Sequence, residues 1–431
     1  MDWRNRIGLY GCYFLGMAGI GFTLPYLPLY LGQQGLSDRM IGAVSTLAAL
    51  AGMAQFPVGL WSDRIGWRKP FLVAALALLA LASVLIRGHH GAIVLAILVV
   101  LFAENGVCRA VVESLTGAEA AALAPKDRVG AALGALRFWK PIGIILVALA
   151  GSWLSQRYGV GSILVPLAVV QALAAVAALL IHEPGGSRHA EPPAVDDHEA
   201  PKGWFPKDPA LRAFVGAMIL FHAANAPGGV YLGLFLRRDL HAPERMLAYA
   251  FVVSMAAWML VVWPAGRLAD RWGRRPLLVA GWAIMALRLA LVAIVRTPWQ
   301  AVANQLLDGV SNGLFAVLAA AWVTDRLADP RRTGEAQVIV GTSLVLGSAI
   351  GPAVSGLLVD ALGYRGLFGL LAAVGAVATG LVISCVPETL TRHKESLADH
   401  GVEPMATVFD LSETNQTARM DASTSRGVLR P

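Results

Sequence analysis

Long apolar stretches separated by short polar links run through most of this chain. A hydrocarbon core of about 30 Å needs roughly 20 apolar residues in helical form. Twelve runs qualify, at about 7–31, 40–61, 70–87, 91–122, 128–154, 159–182, 210–236, 244–266, 276–296, 298–326, 333–361 and 364–387, several with polar or charged interruptions. In lipid a backbone must satisfy its own hydrogen bonds, and the alternating pattern of a membrane barrel is absent, so the runs are expected to be helices. Residues 183–209 carry six prolines, mixed charges and almost no branched aliphatics, which reads as a solvated link. The expected organisation is an all-α membrane protein. It has a six-helix half over 1–183, a cytoplasmic linker over 184–209, a second six-helix half over 210–387 and a polar tail over 388–431.

The two halves repeat. Pro57 to Arg68, which contains Gly59, Asp63, Arg64 and Gly66, matches Pro264 to Arg275 at 6 of 12 positions, 207 residues later. The matching residues of the second copy are Gly266, Asp270, Arg271, Gly273 and Arg275. Each copy follows one long apolar run and precedes another. A repeat at that spacing in an apolar chain predicts duplicated halves related by a pseudo-two-fold axis along the membrane normal.

Composition narrows the class. The chain of 431 residues is 56% hydrophobic and 15% charged, against roughly 25% charged in soluble domains. The net charge of +7 does not form a nucleic-acid patch, because the basic residues sit in the links between runs. The side holding both termini carries 23 of the 35 Lys and Arg residues and the other side 8, so both termini are expected in the cytoplasm. One link on the other side dissents, with Arg237, Arg238 and Arg245. The first run is too long and too interrupted by Pro25 and Pro28 for a signal peptide. Cys12, Cys108 and Cys385 are odd in number and lie in apolar runs, so neither a disulfide framework nor a metal site is expected. There is no phosphate-binding G-x-x-x-x-G-K-[ST] loop and no hydrolytic constellation, so neither a cofactor nor an enzyme activity is expected. The chain is expected to act as a monomer in the bilayer.

Twelve spans in two halves, with the loop G-x-L-a-D-R-x-G-R-R after spans 2 and 8, resemble the major facilitator superfamily over about residues 5–390. The resemblance implies alternating access to a site between the halves, with a small-molecule substrate and protons as partners. It also implies that Asp63 meets the start of span 11 and Asp270 the start of span 5, and that Arg64, Arg68, Arg271 and Arg275 pair with acids across the halves. Such contacts would close the cytoplasmic side and break when it opens.

Charges inside spans are costly and mark cavities or partners. Span 4 holds Glu104, Arg109, Glu113 and Glu119, and span 5 holds Arg137 and Lys140. Arg109 and Glu113 are four apart and share a helix face. Glu113 and Arg137 lie about nine residues from the ends of their spans, ~13 Å deep, and are expected to pair. The segment Gly134 to Gly143 resembles the span-5 pattern of sugar and nucleoside proton symporters such as lactose permease. That resemblance implies a span-4 acid acting with Arg137, and its spacing would favour Glu119 over Glu113. Arg109 resembles the span-4 arginine of drug–proton antiporters. In the second half Arg288 and Asp308 are expected to pair. Asn304, Asp308 and Asn312 make one polar stripe of span 10, and His222 and Asn225 precede Pro227-Gly228-Gly229 in span 7. The expected activity is proton-coupled efflux of a small organic solute across the cytoplasmic membrane. Proton symport of a sugar- or nucleoside-like solute is the alternative, and a non-transporting sensor a distant third.

Overall fold

The computed structural model describes residues 3–89, 91–104, 106–124, 129–182, 208–327 and 333–390. Most of the linker and the tail beyond 390 lie outside the described residues, as does the side chain of Asp63.

The described chain is helical throughout, without strands. The first half begins with a broken span made of α1 (Trp3–Ala18), α2 (Ile20–Thr23) and α3 (Leu27–Gln33). Next come α4 (Asp38–Ala51) and α5 (Gln55–Ile65), joined by a short 3-10 turn into span 2, then α6 (Lys69–Gly88). Span 4 is α7 (Ala92–Phe102) and α8 (Val107–Leu123), and α9 (Val129–Tyr158) and α10 (Leu164–Leu179) complete the half. The second half is α11 (Pro209–Arg238), α12 (Arg245–Trp272), α13 (Arg274–Ile294), α14 (Pro298–Leu327) and α15 (Thr333–Cys385). Ten helices are long and apolar enough to cross a membrane, and the pair bent by 49° in the first span adds an eleventh. At 53 residues α15 is two crossings joined at Gly363, whose φ of 65° turns the chain, which brings the described spans to twelve.

The pseudo-symmetry is written in the turns. Residues with positive φ recur at matching links: Gly35 and His241 after the first span of each half, Gly66 and Gly273 after the second, Gly159 and Gly363 before the last. Glycine reaches this region without a Cβ penalty. The repeated loop motif therefore includes one backbone geometry used twice.

Besides the 3-10 turn in span 2, two of the expected single helices are interrupted. Run 7–31 breaks at Gly19 and again at Leu24–Tyr26, where Pro25 removes a backbone donor. Run 91–122 breaks between Phe102 and Val107. Hydropathy alone sees the sum of such runs and not their breaks. Buried fractions of 56% and 50% place α11 and α14 inside the bundle, against 33% for α12. Leucines such as Leu78, Leu81 and Leu173 are exposed, as a lipid-facing surface requires.

Candidate functional site

A cavity of about 380 Å³ opens between the halves. It is lined by the broken first span, the break in span 4, α4, α11, α12, α14 and the first part of α15. That volume lies within the range of ordinary small-molecule sites.

The second half supplies a connected polar wall. Arg288 on α13 is almost fully buried and donates from Nη1 to Asp308 Oδ1 on α14 at 2.8 Å. The same nitrogen donates to Asn225 Oδ1. Asn225 donates to Asn312 Oδ1 at 2.9 Å, and Asn312 donates to Asp308 Oδ1 at 3.0 Å. Ser254 on α12 donates to the other Asp308 oxygen. The expected Arg288–Asp308 pair is therefore present, and the three-residue stripe on α14 is split in use. Asn304 points behind the wall and donates to the Arg288 carbonyl at 3.0 Å, whereas Asp308 and Asn312 line the cavity. Gly228 gives Arg288 its room, since a Cβ there would lie 2.5 Å from Nη2. His222 lines the cavity and packs edge-on against Phe315 at 4.5 Å, while its Nε2 is buried without a partner. Ser254 and Gln305, which the sequence reading missed, carry no charge, and only the fold places them on this wall.

The first half differs from expectation. Glu113 pairs with Lys140 rather than Arg137: Nζ lies 2.9 and 2.8 Å from the two carboxylate oxygens, and the Tyr13 hydroxyl donates at 3.4 Å. Lys140 lies three residues beyond Arg137 on α9, and its long stem reaches the acid. Arg137 is exposed and forms no ion pair among the described residues. Glu119 meets neither residue. It is buried near the loop end of α8, with Arg68 Nη1 at 3.6 Å. The two criteria that pointed to Glu113 and to Glu119 thus both named the wrong partner.

Arg109 also turns away from the cavity. Its Nε donates to the Phe102 carbonyl at 3.1 Å and its Nη1 to the Gly16 carbonyl at 2.8 Å. Both carbonyls end helices, α7 and α1, at breaks where the intrahelical partner is lost. Gln171 Nε2 adds a bond to Gly16 O at 3.3 Å. In lipid such carbonyls have no water to bond. Arg109 and Glu113 share a helix but do not pair.

The halves touch unevenly. Beyond Asp38, all on the side opposite the repeated loops, Arg39 pairs with Asp360 at 2.7 Å and Asp38 with Arg238 at 2.8 Å. Thr46 donates to the Ala349 carbonyl at 2.6 Å, deeper along the same seam of α4 against α15. On the loop side, the pairs among described residues stay within one half. Asp270 is held by Arg274 at 2.6 Å instead of meeting the start of span 5, and Arg274 also reaches Asp325 at 3.2 Å. Arg64 and Arg271 are exposed and unpaired among the described residues. A Cβ on Gly59 would meet nothing within 4 Å, and one on Gly266 only Val317 at 3.9 Å. No close helix approach is made at these two glycines. Asp63 and the starts of spans 5 and 11, where the closing contacts are expected, lie partly outside the described residues.

One loop residue has a different task. Glu388 accepts from the backbone N–H of Arg274 at 2.8 Å and of Arg275 at 2.9 Å, at the N-terminus of α13. Burial works against its charge, yet the N–H groups of Arg274, Leu390, Arg275 and Thr389 outweigh it and hold the carboxyl below the usual range. A Cβ at Gly273 would strike this carboxylate, so the motif glycine makes room for a cap as well as a turn. Arg275 donates further to the Ile383 carbonyl at 2.6 Å.

The MFS_1 like family model matches residues 6–370. The chain belongs to that family. An uncharacterized MFS-type transporter of Mycobacterium tuberculosis is 26% identical over 390 residues, covering 85% of this chain and 89% of the relative. Maltose permease of Geobacillus stearothermophilus is 28% identical over 347 residues, covering 79% and 82%. The crystal structure of the nucleoside transporter NupG superposes with a TM-score of 0.71 at 16% identity, covering 89% of this chain and 99% of that one, a likeness of fold. Family and fold together make this a multi-pass secondary transporter of the MFS type.

Proposed function

We propose that this MFS protein is a proton-coupled exporter of a small polar solute, working by alternating access in the cytoplasmic membrane. Asp308 carries the reading. It is an acid in the cavity wall whose charge is balanced by Arg288 at 2.8 Å. Protonating such a carboxylate releases its arginine and its amide neighbours for substrate. Arg288, Asn225, Asn312 and Gln305 offer donors and acceptors for a solute with hydroxyl or amine groups. Glu113, with Lys140 as its counter-ion and 46% of its side chain exposed, is the second candidate for the coupled proton. We assign Asp63, Asp270 and their arginines to gating of the loop side, and both termini to the cytoplasm. The protein acts as a monomer and catalyses no chemical conversion.

Export rests on the paired loop motifs. Symport of a sugar- or nucleoside-like solute is the second reading, favoured by the amide lining and by the maltose permease relative. Everted vesicles with an acid interior, supplied with labelled sugars, nucleosides and amines, separate the two. Export predicts accumulation in everted vesicles, and symport predicts accumulation only in right-side-out vesicles with an alkaline interior. Asp308→Asn and Glu113→Gln mimic protonated acids. The variant at the coupling site should lose gradient-driven accumulation, by about a hundredfold or more, and retain substrate exchange. Accumulation indifferent to a proton gradient would overturn the coupling.

A further inference from the structure

The cavity has one acid that the polar wall does not use. Glu104 lies in the non-helical stretch between α7 and α8, half-buried, and lines the cavity from the first half. Its carboxylate forms no hydrogen bond or ion pair among the described residues, unlike Asp308 across the cavity. The nearby cations are already engaged. Lys140 is held by both Glu113 oxygens, and Arg109 by the carbonyls of Phe102 and Gly16. The ionisable residues lining the cavity are thus Glu104, Asp308, Arg288 and His222, and Arg288 answers Asp308. The charge of Glu104 has no partner in the lining.

A second observation points the same way. The opposite wall is polar: Gln305, Asn225, Asn312 and Asp308 of the second half line the cavity. The amides belong to the second half and the unpaired carboxylate to the first. One molecule spanning the cavity would answer both. It needs a positive charge at one end and hydrogen-bonding groups at the other.

Resting on the transporter reading above, we propose that Glu104 is the counter-ion of the substrate, and that the substrate is a small hydroxyl-bearing amine with one positive charge. The ammonium faces Glu104 in span 4, and the hydroxyls face Gln305, Asn225 and Asn312. A charge-assisted bond to a carboxylate is stronger than a neutral one, so the amine is the selected feature. Glu104 sits in the break between α7 and α8, at the cavity wall.

Matched pairs of probes test this on the purified full-length protein: D-glucosamine against D-glucose, and serinol against glycerol. Binding is read from ligand-induced thermal stabilisation. The amine of at least one pair should bind about tenfold more tightly than its neutral partner. In Glu104→Gln the ratio should fall to near one, and in Glu104→Asp the preference should persist. Equal responses to both members in every pair, no response to any amine, or a preference surviving in Glu104→Gln overturns the proposal. Wild-type protein alone decides the first two outcomes, so a poorly folding variant does not rescue the idea. The same compounds in vesicles distinguish the two levels of the argument. Proton-driven movement of a neutral sugar without advantage to its amine sinks the role of Glu104 and leaves the transporter reading standing. Movement indifferent to the proton gradient sinks that reading itself.

Discussion

Asp38 in the first half and Arg238 in the second are joined by bonds of 2.8 and 2.9 Å from one guanidinium nitrogen to both carboxylate oxygens. Tyr364 donates to the same carboxylate at 2.7 Å, and the Tyr231 hydroxyl donates to the Asp38 carbonyl at 3.2 Å. Three helices from two halves, α4, α11 and α15, converge on one acid. This explains the basic link that dissented from the charge asymmetry, since Arg238 is part of a clasp.

Breaking the clasp should open the face opposite the loops. Arg238 is 43% exposed, so the pair is expected to contribute roughly 1 kcal/mol. Asp38→Asn should therefore raise reactivity of a cysteine placed at Ser45, which lines the cavity, by about fivefold toward an impermeant thiol reagent from that face. The test belongs in a Cys385→Ser background, because Cys12 and Cys108 are buried. Unchanged labelling would mean that packing of α4 on α15 alone keeps this side shut.

Arg109 should behave as a structural residue. Arg109→Ala leaves the Phe102 carbonyl unbonded and the Gly16 carbonyl with only the longer Gln171 bond, at a cost of about 1–3 kcal/mol. Arg109→Lys should not rescue it, because an ammonium cannot address two carbonyls in the fixed fork of a guanidinium. Gly19→Ala should cost a similar amount, since its Cβ would fall on the Arg109 and Gln171 side chains. Thermal unfolding of the three variants checks this. A variant with wild-type stability and no transport would instead place Arg109 at the substrate.

A pH dependence is expected at Asp208, the N-cap of α11, outside the membrane. Hydrogen bonding from Arg326 is the main cause holding its carboxyl below the usual range; burial opposes it, and the Ala210 N–H assists. A depressed folded-state value stabilises the fold above the unfolded value of ~4, and that stability is lost as pH falls through the folded value. Wild type should melt higher than Asp208→Asn at pH 6, and the gap should close below pH ~4. Asn keeps the capping oxygen, so the comparison isolates the charge. A gap constant with pH would show that the Arg326 contact is not ionic in effect.

The readable and unreadable parts of the site divide by distance along the chain. Arg288 and Asp308 were legible because two opposite charges at similar depth in adjacent spans have few other partners. Glu113 was legible as an important acid, but its partner was not, because Arg137 and Lys140 differ by less than one turn and depth counting cannot separate them. Glu119 and Arg68 lie 51 positions apart, and only the packing of α5 and α6 beside α8 shows that they meet. The clasp of Asp38, Arg238 and Tyr364 links positions up to 326 apart, and no local pattern announces it.

The sequence alone determined the solvent, the number of crossings, the duplication and the family, because each follows from hydropathy summed over about 20 residues and from a motif used twice. Tertiary structure decided where spans 1 and 4 break, which cation each buried acid holds, and where the two halves are clasped. A hydropathy sum is blind to a break, whereas the pairing of a charge depends on which side chain reaches it across a helix interface. Arg109 shows the difference most simply. Its rarity in a membrane span was visible at once, but its use, in bonding the Gly16 and Phe102 carbonyls, exists only after two helices have broken beside it.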